Sequence, residues 1–240
     1  MATINRNGLN LKGRLKQDGI TMYVRNGKTI IRCSTSYQPK RRTRKQFVSR
    51  QQMLHSCRLW TMLKYAGTPL FPAMPTAYNR FLSLMRRTPV VFIPKNDRIE
   101  EATFLLPDMP VSDGILPIIE QKLGEVDGTP ALLTNFKKGD MRRGDKLLFY
   151  TLKQTIEYER PTLRATRREV TVNDMVETEN GLALTGEEFA DEMTGWALVH
   201  VSKEQCSSQG VVTRCTYYEQ FTTEEAMQEA AKSYGGLTDE

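Results

Sequence analysis

The stretch from Thr43 to Tyr65 reads as one helix of about twenty residues, and it constrains the fold more than any other segment. Projected at 100° per residue, Phe47, Met53, Leu54, Cys57 and Trp60 share a broad face, while Val48, Leu59, Met62 and Leu63 occupy much of the other. A helix apolar nearly all round in its second half is expected to be a buried central helix. Its first turns are basic, and Gly67, Pro69 and Pro72 break the chain after it.

A hairpin is expected upstream. Ile20–Arg25 and Lys28–Cys33 are rich in strand formers, and Asn26-Gly27 between them suits a type I′ turn, where both central residues need φ > 0. A second helix is expected from Pro75 to about Arg87, with Ala77, Tyr78, Phe81, Leu82 and Met85 at helical spacing. Pro89–Pro94 reads as a short strand fenced by prolines.

The charge is divided along the chain. Residues 1–98 hold 20 Lys+Arg against Asp18 and Asp97, a balance of +18; residues 99–240 hold 14 Lys+Arg against 26 Asp+Glu, or −12, within a net charge of +6. The sign changes over 95–101, so a basic module is expected over 1–98 and an acidic one over 99–240. The second half reads mostly as β. Lys146–Leu152 is entered through the Gly-Asp turns at Gly139-Asp140 and Gly144-Asp145, and shorter strands are expected near 131–136, 155–159, 168–173, 182–185, 196–201 and 211–219. Trp196–Val201 is apolar on both faces and should be central. The expected fold class is α+β: a basic hairpin and helices, then a mainly antiparallel β sandwich or small barrel closed by a C-terminal helix. For that helix Thr222 and Glu225 offer a capping box, and Tyr234-Gly235-Gly236 a stop.

No run approaches the roughly 18 apolar residues that span a bilayer, and no apolar region follows the basic N-terminus. Cys33, Cys57, Cys206 and Cys215 form no disulfide framework, so reduced thiols and a cytoplasmic location are expected; a Cys206–Cys215 pair across the 207–210 turn is the less favoured alternative.

No catalytic or cofactor motif survives inspection. Gly27-Lys28-Thr29 ends like a phosphate-binding loop, but Met22 stands where that loop needs glycine, and a strand follows instead of a helix. His55 and His200 are the only histidines and have no ligands at zinc spacing. His55 could serve Cys57 as a base, yet residues two apart on a helix point about 200° apart. Glu187, Glu188, Asp191 and Glu192 could hold a cation, but with Phe189 and Met193 among them they read as the wet face of a short helix. Asp140 and Asp145 read as turn residues.

The strongest candidates are therefore cations. Lys40, Arg41, Arg42, Arg44, Lys45 and Arg50, with Arg25, Lys28 and Arg32 of the hairpin, form the pattern that meets a phosphate backbone. Tyr23, Tyr37 and Phe47 supply possible stacking faces. These residues point to a non-enzymatic protein that binds nucleic acid or another polyanion, with no cofactor. The alternative is a structural or assembly protein, as a single chain or a homo-oligomer, in which basic and acidic halves meet within or between chains. A hydrolase built on the 187–192 carboxylates would need a distant acid or histidine to converge with them.

The segments Gly27–Arg32, Ser34-Thr35-Ser36 and Arg41–Gln51, together with Pro75–Tyr78 and the closing Ser233-Tyr234-Gly235-Gly236, resemble an uncharacterised bacterial protein family. Its members share a hairpin with a Gly-Lys turn, a basic stretch and a helix that begins with Gln and Arg. The resemblance implies a stand-alone small bacterial protein and carries over no catalytic residues.

Overall fold

A computed structural model describes residues 2–4, 14–17, 20–25, 28–33, 42–67, 70–71, 76–95, 104–157 and 160–237. The chain divides into two compact units, Met1–Arg41 and Arg42–Glu240.

The first unit is an antiparallel sheet of β1 (Ala2–Ile4), β2 (Arg14–Gln17), β3 (Ile20–Arg25) and β4 (Lys28–Cys33), in the order β1-β4-β3-β2. β3 and β4 form the expected hairpin, in register from Ile20↔Cys33 to Arg25↔Lys28. Its Asn26-Gly27 turn lies outside the described residues. The outer strands β1 and β2 were not anticipated from the sequence.

The second unit opens with α1 (Arg44–Ala66). Thr43 caps it: its hydroxyl accepts from the Gln46 N–H, and the Gln46 side chain accepts from the Thr43 N–H. Gly67 ends it at φ 141°, a backbone angle that favours glycine. The expectation that the second half of this helix, apolar nearly all round, makes it a buried central helix is corrected. Phe47, Gln51, His55, Leu59, Met62 and Leu63 are buried, but Thr61, Lys64 and Tyr65 are exposed. The spacing of three and four makes one wide buried stripe, so α1 packs as a surface helix. α2 (Ala77–Met85), capped by Thr76, buries Phe81 and Met85.

The strands of this unit are β5 (Pro110–Ser112), β6 (Gln121–Val126), β7 (Thr129–Thr134), β8 (Lys146–Glu157), β9 (Arg160–Val170), β10 (Val176–Thr178), β11 (Gly181–Thr185), β12 (Thr194–Ser202), β13 (Gln205–Cys206), β14 (Gln209–Gly210) and β15 (Val212–Thr213). They pair antiparallel in a four-stranded sheet β10-β11-β7-β6, a five-stranded sheet β13-β12-β8-β9 with β15 also on β12, and the small pair β14-β5. The sheets are not closed into a barrel, and the fold is α+β as expected.

The five-stranded sheet is the middle layer because side chains alternate across it. Leu147, Phe149, Trp196 and Leu198 join one core with Leu132, Leu182 and Leu184 of the four-stranded sheet. Tyr150, Leu152, Ala197 and Val199 join the other, with Leu59, Met62, Phe81 and Met85 of the helices and Phe104–Leu106. Residues 194–200 of β12 are buried throughout, which bears out its central place. The change of charge sign at 95–101 is thus not a change of core: the helices before it and the strands after it share one.

A third, smaller core ties the ends of this unit together. α3 (Glu224–Ser233) packs Met227, Ala230 and Ala231 against Phe47 and Phe92. Its cap is Thr223, whose hydroxyl accepts from the Ala226 N–H, not Thr222, whose hydroxyl donates to the Glu219 carbonyl. The segment 89–94 is not a strand. It buries Val91, Phe92 and Ile93, and the Phe92 N–H donates to the Phe221 carbonyl. Cys57, Cys206 and Cys215 are free thiols. No helix among the described residues is long and apolar enough to cross a membrane.

Candidate functional site

The candidate cations fall in both units. In the first, the Arg32 guanidinium lies 5.7 Å from the centre of the Tyr23 ring. Arg25 and Lys28 are the last paired residues of their hairpin; their side chains, and Lys40 and Arg41, lie outside the described residues. In the second unit Arg42 leads into α1. Its backbone bridges to Leu237, and its guanidinium lies 6.0 Å from the centre of the Tyr234 ring. Arg44 pairs with Glu224 in the first turn of α3 at 2.5 Å. Lys45 and Arg50 are exposed on α1.

Tyr234 gathers two of these charges and Arg58. Burial raises its hydroxyl pKa; a hydrogen bond with Gln51 and the nearby Arg58, Arg42 and Arg50 oppose that rise. Arg58 was not among the residues expected from the sequence. Its place two turns after Arg50 was the available signal. The aromatic floor is shared with Phe47, whose ring stacks on Phe92 at 6.1 Å and meets Tyr234 edge-on at 5.8 Å. Phe47 is therefore a buried core residue, not a free stacking face.

A second constellation surrounds a cleft of about 670 Å³ beside α2. Arg80 donates from Nε to Asp113 Oδ2 at 2.5 Å and from Nη2 to Oδ1 at 3.0 Å. The Ser208 hydroxyl also lies 3.3 Å from Oδ1, and it accepts from the Gly114 N–H. The Asp113 side chain is 10% exposed and that of Arg80 43%. Leu70, Phe71, Ile115, Val201 and Cys206 supply apolar walls. The Cys206 thiol faces the Leu70 and Asp113 carbonyls, and burial pushes its pKa up, so it is not an activated nucleophile.

His200 has a partner that the sequence did not reveal. His200 Nε2 lies 2.8 Å from Asp145 Oδ2, with both side chains nearly enclosed. Asp145 still serves its turn, because the same oxygen accepts from the Arg142 N–H. Phe136 packs edge-on to the imidazole at 5.3 Å. Ser207 accepts from the His200 backbone N–H and so supports β12 itself. His55 is buried against Phe104, and neither ring nitrogen has a hydrogen-bond partner of normal geometry among the described residues. Desolvation, aided by Arg58, lowers its pKa to about 4 against a smaller opposing effect of the Phe104 backbone. Cys57 meets the Tyr78 hydroxyl at 2.9 Å instead of His55.

Of the carboxylates at 187–192, Glu188 and Asp191 have partners within their own unit. Arg168 approaches Glu188 at 3.8 Å and Lys153 approaches Asp191 at 3.8 Å. Asp191 also accepts from the Met193 N–H and the Thr194 hydroxyl. Phe189 is buried beneath this short 3-10 turn, against Trp196 and Phe149. No group of three or more potential metal ligands occurs among the described residues.

Scans against models of protein families, against curated proteins and against solved structures returned no match to this chain.

Proposed function

We propose that this chain is a non-enzymatic structural and interaction protein whose basic N-terminal residues serve interfaces with acidic and aromatic groups of the C-terminal half. One observation carries the reading: the described end of the basic run lies against α3, with Arg42 over Tyr234 and Arg44 against Glu224. Both anchors come from the half that carries the negative charge. Between chains, the same complementarity would make assemblies sensitive to salt, because exposed charges more than a Debye length apart are screened.

Nucleic acid or another polyanion is the second reading. It is supported by Lys45 and Arg50, exposed on the first two turns of α1, and by Arg32, exposed on β4. The two readings separate on the full chain. Light scattering at low and high ionic strength is expected to show oligomers that dissociate with salt, while titration with single-stranded and duplex nucleic acid shows no binding. A monodisperse chain whose affinity for nucleic acid falls steeply with log salt overturns the first reading and supports the second. In that case, loss of Arg42, Lys45 and Arg50 together should flatten the salt slope by about one unit for each phosphate contact removed.

A further inference from the structure

The cleft beside α2 differs from the other constellations in combining apolar walls with one fixed guanidinium. Its volume of about 670 Å³ lies in the range of small-molecule sites. Leu70, Phe71, Val201 and Cys206 line it, and Ile115 stands at its rim, 80% exposed. Such a cavity selects a ligand with an apolar body. The polar group that selects the head is Arg80.

Arg80 is held side-on. Asp113 takes Nε–H and one Nη2–H, so Nη1 and the second Nη2–H, at the end of the guanidinium, have no partner among the described residues. Asp113 is anchored by its backbone N–H on the Leu70 carbonyl and its side chain is nearly enclosed, while the guanidinium is partly open. The pair therefore presents donors outward and keeps its acceptors turned in. A guanidinium with a free edge matches a carboxylate, which can accept two parallel N–H bonds. Lys203 and Glu204, also lining the cleft, oppose each other in charge and leave Arg80 as the discriminating group.

We propose that this cleft binds a small amphipathic monocarboxylate, its apolar body between Phe71, Val201 and Ile115 and its carboxylate on the free edge of Arg80. An extended peptide is the less favoured occupant. Such a peptide would add to a strand edge, and beside the cleft the edge of β13 is closed: the Leu116 N–H donates to the Cys206 carbonyl, and Leu116 bridges to Ser207. The raised thiol pKa of Cys206 fits a site for binding without covalent chemistry. The proposal does not depend on the interface at α3, so either can fail alone.

The test is calorimetric titration of the full chain with 4-phenylbutanoate and with 4-phenylbutanol, its neutral counterpart. Saturable 1:1 binding is expected, with the acid about tenfold tighter than the alcohol. Arg80→Met should remove that preference, and Val201→Trp, which fills the cleft, should abolish binding of both. If Arg80→Met fails to fold because Asp113 has lost its cation, the paired variant Arg80→Met with Asp113→Asn replaces it and should give the same loss of preference. Equal affinity for acid and alcohol, acid binding unchanged in the Arg80 variant that folds, or no saturable binding overturns the proposal. So does binding confined to peptides with a free C-terminal carboxylate.

Discussion

His200 on β12 places its Nε2 2.8 Å from Asp145 Oδ2, joining the middle strand of the fold to the turn that launches β8. The Ser202 hydroxyl, the Arg142 N–H and the His200 ring, in that order, favour the ionised Asp145 and hold its carboxyl down to about 2. A carboxyl depressed by folding stabilises the protein above its unfolded pKa, near 3.9, and that contribution disappears as pH falls through the folded value. Denaturant midpoints should therefore drop between pH 4 and pH 2. Asp145→Asn should start with a lower midpoint and show a shallower fall in that window. An unchanged slope in the variant would mean that another group governs acid lability there.

His55 has the opposite ionisation chemistry and the same direction of pH dependence. Its folded pKa of about 4 lies below the unfolded value near 6.5. Between these values the unfolded chain holds a proton that the folded chain excludes, so stability falls as pH is lowered from 6.5 to 4. Complete traversal of that window costs about 3 kcal/mol. Urea denaturation at pH 7 and pH 4.5 should show most of this loss. His55→Phe should abolish it.

Phe47 connects α1 to the 89–94 segment and to α3 through Phe92 and Tyr234. Phe47→Ala should lower unfolding stability by about 3–5 kcal/mol, the range for emptying a buried aromatic site. Limited proteolysis should then cut first within α3, which shares this core.

Arg44 and Glu224 are both largely exposed, so their ion pair should contribute less than about 1 kcal/mol despite its short distance. A double-mutant cycle through Arg44→Ala and Glu224→Ala should return a coupling of a few tenths of a kcal/mol at low salt, vanishing at high salt. A much larger coupling would mean that the pair is desolvated in an assembly.

Gly114 lies under the backbone of β13, where a Cβ would collide with the Cys206 carbonyl. A backbone atom cannot turn aside as a flexible side chain can. Gly114→Ala should cost about 2 kcal/mol or more and open the wall of the Arg80 cleft, measurable as a lower thermal midpoint.

Much of the local structure was legible in the residues. The hairpin β3–β4, the Gly67 stop and the central place of β12 all follow from short-range sterics and alternation. Asp127-Gly128, at φ 51° and 76°, closes a second two-residue hairpin between β6 and β7. Its Asp-Gly signature was present in the sequence and passed over, because β6 is only partly buried and lacks a strong apolar alternation. The fenced run 89–94 misled for a physical reason. Burial of Val91, Phe92 and Ile93 requires apolar residues but no ladder, and Pro89 and Pro94 have no N–H to give one. At α3, both Thr222 and Thr223 could cap. The choice fell to Thr223 because Thr222 closes the preceding turn on Glu219.

By itself the sequence determined the strongly periodic elements, such as α1, α2 and β12, and the uneven distribution of charge, since each depends on neighbours within a few positions. Tertiary structure alone decided which charges meet. Arg80 finds Asp113 33 positions away, His200 finds Asp145 at 55, and Arg44 finds Glu224 at 180. No local rule links such residues. They come together because burial of the apolar faces of α1, α2, α3 and the middle sheet leaves one compatible packing, and the polar groups carried on those elements pair where that packing brings them.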